Sequence, residues 1–200
     1  MPTVVAIAFH SGYGHTERQA RAVAGGVERV PAAVASLHDV STLDDDLWTA
    51  LAAADAIVFG TPTYMAGRSA GFQRFAEASA AVWAAAGWQD KVAAGFTNSA
   101  GVNGDKLQTL TSLALLAAQH GMHWVNLGLP PGWLYSSAGS ADDLNRLGGF
   151  VGAMAQSPSD AGPDEAPSDA DLRTAAHLGE RVARVAAQLT SGRALIEVAA

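Results

Sequence analysis

The stretch that decides the architecture is Val4-Val5-Ala6-Ile7-Ala8-Phe9-His10-Ser11-Gly12-Tyr13-Gly14-His15-Thr16. Val4 to Phe9 is a continuous apolar and β-branched run, Ser11 to Gly14 breaks it, and Thr16 to Arg29 resumes with helix-forming residues. That order reads strand, loop, helix. Similar runs recur at Ala32 to Leu37, Ala56 to Gly60, Val92 to Phe96 and Trp124 to Leu129, all too uniformly apolar to leave one face in water. Such strands belong to a parallel sheet covered on both sides. Helical stretches lie between them at Leu47 to Ala53, Gly71 to Ala85 and Lys106 to His120, the last with Leu107, Leu110, Leu113, Ala114 and Ala117 at helical spacing. The alternation predicts an α/β fold, a doubly wound five-stranded parallel sheet of order 2-1-3-4-5 with helices on both faces. Ligands of such sheets bind in the crevice at the carboxyl ends of the strands, where the winding reverses.

The last third is less regular. Pro130-Pro131-Gly132 ends the fifth run, Ser140-Ala141-Asp142-Asp143 has the composition of a cap for a short helix, and Val151 to Ala155 can continue the edge strand after that insertion. Gln156 to Asp169, rich in Ser, Asp, Pro and Gly, reads as a surface loop. Ser168 with Asp171 caps a final helix from Ala170 to Leu189, Gly192 is expected to stop it, and residues 192–200 form an apolar tail able to dock on another subunit. Residues 1–200 are therefore expected to form a single domain.

Composition narrows the function. A chain of 200 residues, 49% hydrophobic and 16% charged, can bury one substantial core. No apolar run approaches the ~18 residues of a membrane span, and Met1-Pro2-Thr3 leads directly into a strand without a basic leader, so a cytoplasmic protein is expected. With no cysteine there is no disulfide, thiolate metal site or cysteine nucleophile, and any redox chemistry has to come from a cofactor. A net charge of −7 with scattered basic residues argues against nucleic acid and for a small-molecule partner.

Three loops then stand out, each at the carboxyl end of an expected strand. The first, His10 to Thr16, places small and hydroxylic residues before a helix, where free amides and the helix dipole favour an anion. It lacks both the Gly-Lys-Ser/Thr ending of a nucleoside-triphosphate loop and the full Gly-x-Gly-x-x-Gly pattern, so a single terminal phosphate fits it best. Taken alone, it is equally well read as a glycine-rich turn with a capping hydroxyl. The second, Gly60-Thr61-Pro62-Thr63-Tyr64-Met65-Ala66-Gly67, offers hydroxyls, a proline and an aromatic that can line a flat ring. In the third, Thr97-Asn98-Ser99-Ala100-Gly101-Val102-Asn103-Gly104, short polar side chains and glycines allow backbone groups close to polar ring edges. Three such loops in one crevice are hard to explain as independent turns.

At this point the chain resembles the WrbA-type, flavodoxin-like NAD(P)H:quinone oxidoreductases and the related NADPH-dependent FMN reductases. The resemblance rests on Ser-x-Tyr-Gly-His-Thr at Ser11 to Thr16, Gly-Thr-Pro-Thr at Gly60 to Thr63 and His-Gly-Met at His120 to Met122, and runs from Val4 to about Leu129. It implies FMN as cofactor, NAD(P)H as electron donor, and a quinone or similar small molecule as acceptor, with donor and acceptor using one space in turn. It also implies that Ser11, Gly12, Tyr13, Gly14, His15 and Thr16 hold the FMN phosphate. Pro62, Thr63, Tyr64 and Met65 would border the ring, and Asn98, Ser99, Ala100, Gly101, Val102, Asn103 and Gly104 its polar edge. Tyr13 would lie near the nicotinamide, Trp83 would wall the acceptor site, and a homo-oligomer, dimer or tetramer, is implied. The chain departs from the family in three places. Tyr64-Met65 stand where Arg-Phe is common, the third loop is one residue longer, and Gln119 replaces the first histidine of a His-His-Gly-Met run whose histidine reaches a flavin, in some members across a subunit boundary. Glutamine still hydrogen-bonds there but carries no proton at neutral pH.

The six histidines, His10, His15, His38, His120, His123 and His177, show no metal-binding spacing, so no metal is expected. Asp44-Asp45-Asp46 precedes a helix and reads as a complement to its dipole, not as an acidic site. Two rival readings remain beside the oxidoreductase: an electron-carrier flavodoxin without enzymatic activity, and a scaffold that has lost the flavin. Fold alone does not choose among them.

Overall fold

The computed structural model describes residues 2–133 and 135–199, for 197–199 the backbone only. Met1 and Ala200, the two ends of the expected domain, lie outside the described residues. In chain order the elements are β1 (Thr3–Phe9), α1 (His15–Val27), β2 (Ala33–Asp39), α2 (Asp45–Ala53), β3 (Ala56–Tyr64), β4 (Gly67–Arg68), α3 (Ala70–Ala78), α4 (Ala80–Ala84), β5 (Val92–Ser99), α5 (Lys106–Gln119), β6 (His123–Trp124), β7 (Ala153–Gln156) and α6 (Asp169–Ala199).

The sheet runs β2-β1-β3-β5-β6, with β7 parallel on β5 and β4 antiparallel on β3. That is the expected 2-1-3-4-5 order, but the fifth position is shared by two short strands. His123–Trp124 pairs with Val92–Ala93, the chain leaves, and Ala153–Gln156 returns to pair with Phe96–Ser99. The run to Leu129 is therefore not one strand, and the resumption anticipated near Val151 begins at Ala153.

Successive residues of β1 and β3 point to opposite faces, so each strand feeds two cores. Val5, Ile7, Phe9 and Val58 pack under α1 and α6, while Ala6, Ala8, Ile57 and Phe59 pack under α2, α3 and α5. The second core is aromatic: Phe75 stacks on Trp48 at 5.5 Å and meets Phe72 edge-on at 5.3 Å. Asp44 caps α2 by accepting from Leu47 N at 2.9 Å, the role its position suggested.

Three local expectations are corrected. The helix expected over 71–85 is broken at Ser79, whose hydroxyl donates to Ala76 O at 2.7 Å and separates α3 from α4. Ser140 to Asp143 cap no helix; the Asp143 carboxylate instead accepts from Ser140 N and Trp133 N at 2.9 and 3.1 Å and ties a turn. Gly192 does not end α6, which continues to Ala199, so residues 192–199 are not a separate tail. A glycine inside a helix costs about 1 kcal/mol relative to alanine and is no obligatory stop.

Candidate functional site

The first loop leaves β1 and enters α1 through Gly14, held in the left-handed region at φ +87° and without a side chain of its own to cap the helix. Ser11 Oγ accepts from Gly14 N at 3.1 Å and Glu17 N at 3.2 Å, folding the loop over itself. The amides of Gly12, Tyr13, His15 and Thr16 find no partner among the described residues. Free amides at the start of a helix form a receptor for a negative group. Behind the loop, His10 Nδ1 meets Ser69 Oγ at 2.9 Å, and burial lowers its pKa, with Asp39 opposing and Arg74 reinforcing that effect.

The second loop is fixed by buried hydroxyls. Thr63 Oγ1 lies 2.8 Å from both Thr97 Oγ1 and Thr109 Oγ1, and Thr97 donates to Thr61 O at 2.7 Å. Beyond Thr63 the chain reverses into β4 through Met65 and Ala66, both at positive φ, 47° and 66°. A two-residue reversal of that sign normally takes Asn-Gly, and non-glycine residues there carry roughly 1 kcal/mol of strain each. Ala66→Gly is accordingly expected to raise stability by about 0.5–1 kcal/mol in urea unfolding; a loss would show that the turn is not strained. The turn leaves Met65 fully exposed and lays Tyr64 over Gly12, where an added Cβ would stand 2.5 Å from the phenol oxygen. Tyr13 meets Tyr64 edge-on at 6.3 Å. Burial, and secondarily Tyr13, raises the Tyr64 pKa.

The third loop follows β5, and a fourth segment joins it. Ser157 donates through N to Ser99 O at 3.1 Å and through Oγ to Asn98 Oδ1 at 3.0 Å. The chain then crosses to the first loop, where His15 Nε2 donates to Ala161 O at 2.9 Å and Arg18 Nη1 to Pro163 O at 2.8 Å. The segment read as a plain surface loop is therefore a strap joining the first loop to the third.

These four segments enclose a cavity of about 800 Å3. Its wall takes Tyr13, His15 and Thr16 from the first loop, Pro62, Thr63, Tyr64 and Met65 from the second, and Asn98, Ser99 and Ala100 from the third. The strap adds Ser157, Pro158, Ser159, Ala161, Gly162 and Pro163, which sequence reasoning missed. Ser11, Gly12 and Gly14 of the first loop and Gly101, Val102, Asn103 and Gly104 of the third lie outside its lining. Two expected residues are not brought here. Trp83 is half-exposed on α4, and Gln119 is exposed at the end of α5, which runs back toward the amino ends of the strands. His120 is buried and structural. Ser79 spends its one proton on Ala76 O, so His120 Nε2 carries the proton of their 2.9 Å contact, and the ring lies 4.4 Å from that of Trp88. Burial lowers the His120 pKa.

Residues 27–129 match the family model of the NADPH-dependent FMN reductases. The chain is 44% identical over 183 residues to the flavodoxin FldP of Pseudomonas aeruginosa, covering 92% of this chain and 96% of that protein. An NAD(P)H dehydrogenase (quinone) of Geobacter sulfurreducens is 32% identical over 206 residues, 92% of this chain and 98% of that one. Among solved structures, the flavodoxin, WrbA-like protein from Agrobacterium tumefaciens shares 47% identity at a TM-score of 0.73, over 93% of this chain and 98% of that chain.

Proposed function

We propose that this chain, which belongs to the NADPH-dependent FMN reductase family and its WrbA-like relatives, is an FMN oxidoreductase that reduces a quinone or similar small acceptor with NAD(P)H as donor. The observation that carries the reading is the start of α1, where the amides of Gly12, Tyr13, His15 and Thr16 stay free, beside a cavity whose wall is partly apolar. The residues present fit FMN. The amides of Gly12, Tyr13, His15 and Thr16 answer a terminal phosphate, the Pro62 to Met65 wall suits a planar ring, and the Asn98 to Gly104 loop offers polar groups to its edge. When bound, FMN supplies hydride acceptance and electron release, so no side chain need act as a nucleophile.

The chain's own part is to bind and orient. Ser11 keeps the first loop folded around the phosphate position, and Thr63, locked by Thr97 and Thr109, holds the ring wall in place. Tyr13, three-quarters exposed at the cavity mouth, offers a face on which a nicotinamide or a quinone can stack. A role for Trp83 or Gln119 at a flavin requires the cavity of a second copy of the chain, and a homo-oligomer is part of this reading.

The test is the absorption spectrum of the purified protein with FMN, first with NADH or NADPH without oxygen, then with a benzoquinone. Flavin bands that bleach with a pyridine nucleotide and return with quinone, and parallel double-reciprocal plots when both substrates are varied, are the expected result. The name of the Pseudomonas relative favours a second reading, an electron carrier. Bound FMN that ignores both nucleotides but takes single electrons from a chemical reductant would establish it. No flavin binding would overturn both.

A further inference from the structure

Lys106 opens α5, yet its side chain is entirely buried. A lysine at the start of a surface helix ordinarily keeps its ammonium in water, because burial of the charge is costly. Here Nζ donates to the carbonyl oxygens of Gly101 and Val102, the second at 3.0 Å. Gln156, at the end of β7, donates through Nε2 to Ala100 O at 3.1 Å. Ser99 Oγ also donates to Gly101 O, at 3.2 Å, so three side chains hold three successive carbonyls of the third loop, Lys106 and Gln156 from outside it. A trans peptide carries its C=O and N–H on opposite edges, so the amides of Gly101, Val102 and Asn103 are turned away from these donors. None of the three has a hydrogen-bond partner among the described residues, and all three residues are exposed, next in the chain to Ser99 and Ala100 of the cavity wall.

We propose that Lys106 and Gln156 are positioning residues that set this row of amide donors toward the polar edge of the FMN ring, with the Lys106 charge favouring the negative charge that gathers there on reduction. The inference rests on the FMN reading above. Successive amides on one edge of a turn favour an anion, and a cation behind their carbonyls polarises the same peptides in the same sense. Asp171 of α6 and Arg146 of the insertion are the charged groups that act on Lys106. They neutralise each other, because the Arg146 guanidinium grips the Asp171 carboxylate through Nε and Nη2, both at 2.7 Å. Asp171 therefore offsets the Lys106 charge only in part. Burial brings its pKa down to about 8, with Asp171 opposing and Arg146 reinforcing that effect, so its charge can be removed at accessible pH.

The experiment compares the FMN dissociation constant from about pH 6 to about pH 10 in the unmodified protein, Lys106→Met and Gln156→Leu, together with amide NMR of the flavin-free proteins. Loss of a charged donor predicts at least about tenfold weaker FMN binding by Lys106→Met at pH 7. The unmodified protein should lose affinity above about pH 8, the variant should be flat through that range, and the midpoint potential of its bound FMN should be more negative. The Val102 and Asn103 amides should lose fixed order in Lys106→Met while the later turns of α5 keep theirs. Gln156→Leu should bind FMN more weakly yet keep the inflection near pH 8, which keeps the proposal testable if the lysine variant fails to fold. An FMN affinity unchanged in both variants, or no inflection near pH 8 in the unmodified protein, would overturn this inference alone. Absence of FMN binding by the unmodified protein would overturn the function itself, and this inference with it.

Discussion

Replacing Gly179 by alanine is expected to destabilise the protein by about 3 kcal/mol, read as a lower urea midpoint at unchanged slope. Helices α1 and α6 meet backbone to backbone. A Cβ at Gly179 would stand 2.0 Å from Val23 O, and one at Gly26, on the facing helix, 1.8 Å from Ala176 O. No side chain lies between to turn aside, so one methyl has to push two helices apart over the Val23, Val27, Leu178 and Val182 core. Gly192 on the same α6 has open space around it and serves as the control. Gly192→Ala should stabilise by up to about 1 kcal/mol from helix propensity alone. Equal effects at the two positions would show that the helices are not in contact through backbone. The loss should reach the cavity as well, because Asp171 near the start of α6 holds Arg146 and accepts from Gln156 N at 2.9 Å.

Most of the fold was legible because its signals are local. Val4 to Thr16 spells strand, turn and helix within thirteen residues, and uniformly apolar runs such as Ala56 to Gly60 declare a strand covered on both faces. The first three loops were legible for the same reason, since topology alone brings the carboxyl ends of adjacent parallel strands together. The strap from Ser157 to Pro163 was not. Its composition is that of any exposed loop, and its place is set by contacts with His15 and Arg18 about 145 positions away. Its length was the available signal, because structureless connections beyond about 12 residues are commonly functional. The split of the fifth strand into β6 and β7 depends likewise on Asn145, which ties the intervening segment together through Pro130 O and Gly149 O. Lys106 was hidden for the opposite reason. A lysine beside a helix start reads as solvated, and only its carbonyl partners reveal a buried cation.

Lys106→Met is expected to leave the protein more stable at pH 7, by about 2 kcal/mol, even as it weakens the site. The folded-state pKa lies near 8, against an ordinary lysine value of 10.5. A tenfold loss of proton affinity corresponds to about 1.4 kcal/mol, so the buried ammonium costs roughly 3 kcal/mol wherever it stays charged in both states. About 1 kcal/mol of that is returned by its two bonds to exposed loop carbonyls, which water can serve in the variant. Removing one member of a buried ion pair usually strands the other, but Asp171 keeps its two-point contact with Arg146, so no charge is orphaned. The sign against pH follows from proton binding. Between about pH 8 and pH 10.5 the unfolded chain holds a proton that the folded chain has lost, so the unmodified protein gains stability from this group as pH rises. The advantage of the methionine variant should therefore be full below pH 8, shrink through that window and reverse near its top, where only the lost hydrogen bonds remain. Urea unfolding of both proteins at about pH 7 and pH 10 measures it. A variant less stable than the unmodified protein at both values would mean that the bonds of Lys106 to the loop outweigh the cost of burying its charge. Stability gained where FMN affinity is lost would mark Lys106 as a residue kept for the site, against the interest of the fold.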